Sequence, residues 1–60
     1  MKFKDLEPGD YFYYKIGNFS SGRCVKTQPI EKLDGFTVNT VVIFNGTFSY
    51  VGPDTEVVQA

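Results

Sequence analysis

Hydrophobic positions along the chain come in short runs of Val, Ile, Phe, Tyr and Thr, separated by clusters of Gly, Pro, Asn and Asp. No stretch carries the i, i+3, i+4, i+7 stripe of an amphipathic helix, so the pattern predicts an all-β chain. Leu6-Glu7-Pro8-Gly9-Asp10 reads as a turn, because proline presets φ and glycine accepts a positive φ. A first strand follows from Tyr11 to Ile16, then a flexible loop from Gly17 to Gly22, then a second strand from Arg23 to Thr27. Pro29 and Asp34-Gly35 mark Gln28 to Gly35 as a connection rather than part of a central strand. A third strand is read from Phe36 to Phe44, with a break near Asn39, and a fourth from Thr47 to Val51. Gly52-Pro53-Asp54 stops the chain, with room for one 3₁₀ turn, before a fifth strand from Thr55 to Gln59.

Asn45-Gly46 is the strongest hairpin signal, since both central positions of a type I′ turn need φ above zero. A two-residue turn there pairs Phe44 with Thr47, Ile43 with Phe48, Val42 with Ser49 and Val41 with Tyr50. The nearly all-apolar set Val41, Ile43, Phe48 and Tyr50 is then expected to line the core. Val42 and Phe44 would face water beside Thr47 and Ser49. Alternation in the first strand points Phe12, Tyr14 and Ile16 inward and Tyr11, Tyr13 and Lys15 outward. Five strands in 60 residues must curl on themselves to bury an inner face and reduce open edges. The expected architecture is one domain over residues 1–60, a small five-stranded SH3-like barrel; an OB-type barrel is the second choice, because it usually takes a longer chain.

Composition narrows the function. Hydrophobic residues make up 42% of the chain and charged residues 22%, the balance of a folded globule rather than a disordered tail. Six basic against seven acidic side chains give a net charge of −1, which offers no bulk attraction to phosphate or anionic lipid. There is no His, and Cys24 is the single cysteine, so triads, the usual metal sites and an intrachain disulfide all lack their parts. The opening Met1-Lys2-Phe3-Lys4-Asp5 has no apolar run like that of a signal peptide, which points to residence inside a cell. Val41-Val42-Ile43-Phe44 is the longest apolar run, far short of the roughly 20 residues of a membrane-crossing helix. The sequons Asn18-Phe19-Ser20 and Asn45-Gly46-Thr47 read as turn chemistry.

The segment Phe3-Lys4-Asp5-Leu6-Glu7-Pro8-Gly9-Asp10-Tyr11-Phe12 resembles the opening of a group of small, largely uncharacterised phage-encoded and bacterial proteins of about this length. The likeness continues in Asn39-Thr40-Val41-Val42-Ile43, in Gly46 and in the ending Asp54-Thr55-Glu56-Val57, and it departs from the group at Gln28 to Gly35. The resemblance implies an SH3-like barrel of viral or mobile-element origin, at work in the host-cell cytoplasm or carried in a virion. It carries over no catalytic residue.

Taken one by one, the candidate sites favour binding over catalysis. Cys24 lacks a base and reads as a packed strand residue. Asp5, Asp10 and Asp54 sit at turns, where a carboxylate accepts backbone N–H groups. Asp54-x-Glu56 offers too few oxygens for calcium, and no glycine-rich loop ends in Lys-Ser or Lys-Thr. No enzyme activity, cofactor, metal or small-molecule substrate is expected. The leading reading is a module that docks a protein partner or assembles with itself through Val42, Phe44, Phe19, Tyr11 and Tyr13. The second is a single-stranded nucleic-acid binder in which Tyr11 and Tyr13 stack on bases while Lys15, Arg23 and Lys26 meet phosphates. A core this small, without disulfide or metal, also raises the expectation of a homo-oligomer.

Overall fold

Val, Ile, Tyr and Thr fill a pleated surface well, and the chain builds one antiparallel sheet from them. The computed structural model describes residues 1–60, Ile16 through its backbone alone. A 3₁₀ turn at Phe3–Asp5 leads into β1 (Tyr11–Ile16), β2 (Phe19–Ser20), β3 (Cys24–Glu31), β4 (Thr37–Val42), β5 (Thr47–Ser49) and β6 (Val57–Gln59). The strands pair along the path β2-β1-β3-β4-β5, with β6 also on β1. The chain is all-β, as its pattern predicts, and the sheet curls into a half-barrel. The count is six strands rather than five.

β1 is the hub. Phe12 has Cys24 on one side and Gln59 on the other, so β3 and β6 flank it on opposite edges. β2 runs along the same edge as β3, but Lys15 faces Ser20 where Phe12 faces Cys24, so the register slips by one residue between them. Ser21 fills the slip: its N–H donates to the Tyr14 carbonyl at 2.8 Å, and its Oγ accepts the Tyr14 N–H at 2.9 Å. A side chain thus supplies the acceptor that the irregular backbone withdraws.

The Asn-Gly reversal differs from expectation. Gly46 has φ of 69°, but no other residue type takes a positive φ among the described residues, so a type I′ turn, which needs two, cannot form. Ile43 to Gly46 instead make a four-residue loop, closed by the Gly46 N–H on the Val42 carbonyl at 2.8 Å and by the Thr47 N–H on Asn45 Oδ1 at 3.0 Å. Val42 therefore faces Thr47 and Val41 faces Phe48. Each pair stays on one side of the sheet, yet the sides are the reverse of those expected. Thr40 is fully buried and Val42 packs on the core, while Ile43, Phe48 and Tyr50 are exposed.

The reason is what covers the sheet. Phe3 and Leu6 from the first segment, with Val51 and Val57, close over Phe12 and Cys24 to form the core. Phe3 meets Phe12 edge to face at 5.4 Å, and Tyr14 and Val42 pack at its margin. Small Cys24 and Thr40 make room for these rings on the inner side of β3 and β4. The inward side chain expected of Ile16 lies outside the described residues; Phe12 and Tyr14 do point in, and Tyr11, Tyr13 and Lys15 are exposed.

Polar groups complete the frame. Where the β4–β5 ladder ends, Asn39 continues it with its amide: Oδ1 accepts the Val51 N–H and Nδ2 donates to the Val51 carbonyl, both at 2.9 Å. Thr40 Oγ1 donates to the same Oδ1 at 3.2 Å. Lys26 turns inward, its Nζ donating to the Leu6 carbonyl at 2.6 Å and the Phe3 carbonyl at 3.1 Å, and sitting 4.5 Å from the centre of the Phe3 ring. β3 also runs further than its turn residues suggest, through Pro29, because its pairing with β4 breaks between Lys26 and Ile30 and spares the proline any donor role.

Candidate functional site

Alternation and register place one set of side chains on the uncovered side of the sheet. Tyr11 faces Val25, Val25 faces Val41 and Val41 faces Phe48, which makes a row across β1, β3, β4 and β5. At one end of the row the Ala60 N–H donates to the Tyr11 carbonyl at 2.9 Å. A neighbouring row holds Val58 opposite Tyr13 on β6 and β1, and Arg23 and Ile43, joined by the Ile43 N–H on the Arg23 carbonyl at 3.0 Å. Tyr11, Tyr13, Ile43, Phe48 and Val58 are 47%, 38%, 42%, 50% and 57% exposed, with Val25 and Val41 half-buried between them. This face is continuous and apolar. Its one charge in the middle, the Arg23 guanidinium, lies 5.2 Å from the centre of the Tyr11 ring.

Of the residues singled out from the sequence, Tyr11 and Tyr13 share this face. Val42 does not: it lies on the inner side against the core, the side that Phe3 and Leu6 cover. Phe44 is 91% exposed but belongs to that loop. Phe19 is exposed in β2, where it pairs with Ile16 and so falls on the other side of the sheet from Tyr13. The remaining members of the face, Val25, Val41, Ile43, Phe48 and Val58, escape sequence reasoning. Alternation groups three of them, Val41, Ile43 and Phe48, on one face, but it fits either side of the sheet, and the expected side was the core.

The basic set also separates. Lys15 and Arg23 are exposed, whereas Lys26 is held by the Phe3 and Leu6 carbonyls and is not available to a phosphate. Two cations rather than three then accompany the two tyrosines.

Other chemistry-bearing groups are engaged in the frame. Cys24 has no solvent exposure; its thiol donates to the Gly22 carbonyl at 3.3 Å and lies 3.9 Å from Ser21 Oγ. Burial pushes its pKa up, and the contact with Ser21 offsets part of that rise. Such a thiol stays protonated and is a poor nucleophile. Asp5 and Asp10 accept the Lys2 and Glu7 N–H groups, each at 2.9 Å, closing their turns. Asp54 departs from that pattern and pairs with Lys4 at 3.5 Å and Lys2 at 4.0 Å on the surface. Among the described residues no three His, Cys, Asp or Glu side chains come together as a metal site, and no helix is long and apolar enough to cross a membrane. A groove of about 650 Å³ opens beside the first segment, lined by Leu6, Pro8, Lys26, Asn39 and Tyr50 among others. Two of its polar members, Lys26 and Asn39, are spent on backbone groups.

No protein family, curated protein or solved structure matches the chain.

Proposed function

We propose that the protein is a non-enzymatic interaction module, a phage-type accessory protein that works by covering the outer sheet face with a protein surface. The observation that carries this reading is the face itself: exposed aromatic and aliphatic side chains from β1, β5, β6 and the β4–β5 loop, with half-buried valines of β3 and β4 between them, on one side of a sheet whose other side holds the core. Patches of this kind mark association surfaces, and tyrosine and phenylalanine suit them because they offer large area at low conformational cost. An SH3-like barrel fits the topology when β2 and β3 are counted as halves of one bent strand. The order then runs β6, β1, β2 with β3, β4, β5, a meander whose last strand returns beside its first. Phage origin rests on the resemblance of the Phe3–Phe12 opening and the Asp54–Val57 ending. Two roles suit such a module: one that occupies a host protein in the cytoplasm, and one that joins subunits of a virion.

A tagged pull-down from host lysate, with and without nuclease, tests the reading. Capture of a protein by the wild type, kept after nuclease and lost in Tyr13→Ser and Phe48→Ser, is the expected result. Capture untouched by both substitutions retires the face as the binding surface. Mass spectrometry of purified particles separates the two roles, since a subunit-joining protein is present in every particle. The nucleic-acid reading draws on Tyr11, Tyr13, Lys15 and Arg23, and it predicts salt-sensitive binding of a labelled oligonucleotide; flat anisotropy at low salt removes it.

A further inference from the structure

We infer that the outer face is covered by a second copy of this chain, packed sheet against sheet about a two-fold axis. The inference rests on the reading of that face as an association surface and names its occupant. Its first support is the distribution of apolar side chains. Seven hydrophobic residues are buried, whereas twelve large ones are exposed. A domain below about 70 residues has few means of making up such a deficit: disulfides, a metal, or oligomerisation. One cysteine excludes an intrachain disulfide, and the described residues assemble no metal site. The partner must then be present whenever the chain is, and another copy of the chain meets that condition by itself.

Area supports the same occupant. At about 150–250 Å² for each large ring, the exposed fractions of Tyr11, Tyr13 and Phe48 amount to about 300 Å², and Ile43 and Val58 bring the patch to about 400 Å². A standard interface takes about 800 Å² per partner, of which about 65% is apolar in homodimers. The patch provides most of that apolar share from a total surface of 4192 Å². Net charge raises little barrier, because two copies of net charge −1 repel weakly, while Arg23, stacked on Tyr11, must keep its guanidinium in water in each copy. The relief is self-complementary as well. Val25 and Val41 form a low strip walled by Tyr11 and Phe48, so Phe48 of each copy can seat on the valines of the other, as an isologous contact requires. Sheets packed face to face in this way lie about 10 Å apart.

Sedimentation equilibrium over a range of protein concentrations tests the inference. The wild type is expected to sediment as a dimer, with a melting temperature that rises with protein concentration. Phe48→Ser and Val41→Lys, checked for folding by circular dichroism, should weaken association by at least about thirtyfold, while Phe44→Ser in the loop should dimerise like the wild type. A wild type that stays monomeric at high concentration overturns the inference, and so does a dimer that survives both face substitutions. The two failures remain distinct from that of the broader reading. If the chain is monomeric but Phe48→Ser still abolishes capture of a lysate protein, the face binds a different chain; if capture is unchanged too, both readings fall.

Discussion

Cys24 sits where β3 begins, with no solvent contact and with Phe12 opposite it across the ladder. Burial favours its neutral form, so the folded chain holds the thiol proton more tightly than the unfolded chain does. The stabilisation linked to that proton is complete below the ordinary thiol pKa of about 8.5 and is lost as the pH rises through the higher folded value. Urea midpoints should therefore fall between pH 7.5 and pH 10 by more in the wild type than in Cys24→Ala. Alkylation by iodoacetamide should be slow at neutral pH and become fast in denaturant. Asn39 illustrates the same scale differently: a buried amide is tolerated because it brackets both backbone groups of Val51 and takes the Thr40 hydroxyl as well.

Lys26 links two elements that the backbone leaves loosely joined. Its ammonium fastens the 3₁₀ turn and Leu6 to β3, and with them two of the residues that close the core. Lys26→Met keeps the apolar stem and removes both charge-assisted bonds, so the expected cost is about 2–3 kcal/mol, read as a lower urea midpoint with an unchanged slope. None of this was visible in the sequence, where Lys26 reads as one more exposed base on a strand. β1 was legible to the residue, because an alternating run bounded by Pro-Gly-Asp and Gly-Asn is a local signal. The Asn45-Gly46 reversal was legible as a turn but not as a register. The choice between a two-residue and a four-residue loop shifts the pairing by two without moving any residue across the sheet, so alternation could not detect it. The side of the sheet was misjudged for a different reason: Val41 and Ile43 outweigh Thr40 and Val42 in hydrophobicity, but the covering segment selects the side whose small residues leave space for Phe3 and Phe12. The outer face was accordingly half seen, through Tyr11 and Tyr13 alone.

At the scale of the molecule, the sheet has a finished side and a bare one, and its strands are unevenly protected. Past Lys26 no strand pairs with β3 on its β1 side among the described residues, and pairing with β4 lapses until Ile30. Pro29 stands in that interval. Lacking an N–H, it denies a passing chain one of the donors that a growing cross-β stack would take, and it does so in a stretch flanked by exposed Ile30, Leu33 and Phe36. Pro29→Thr should leave the native fold almost untouched yet shorten the lag before thioflavin T fluorescence rises on prolonged agitation. The proline that looked like a reason for β3 to end stands inside it, withholding a donor from any strand that would extend the sheet there.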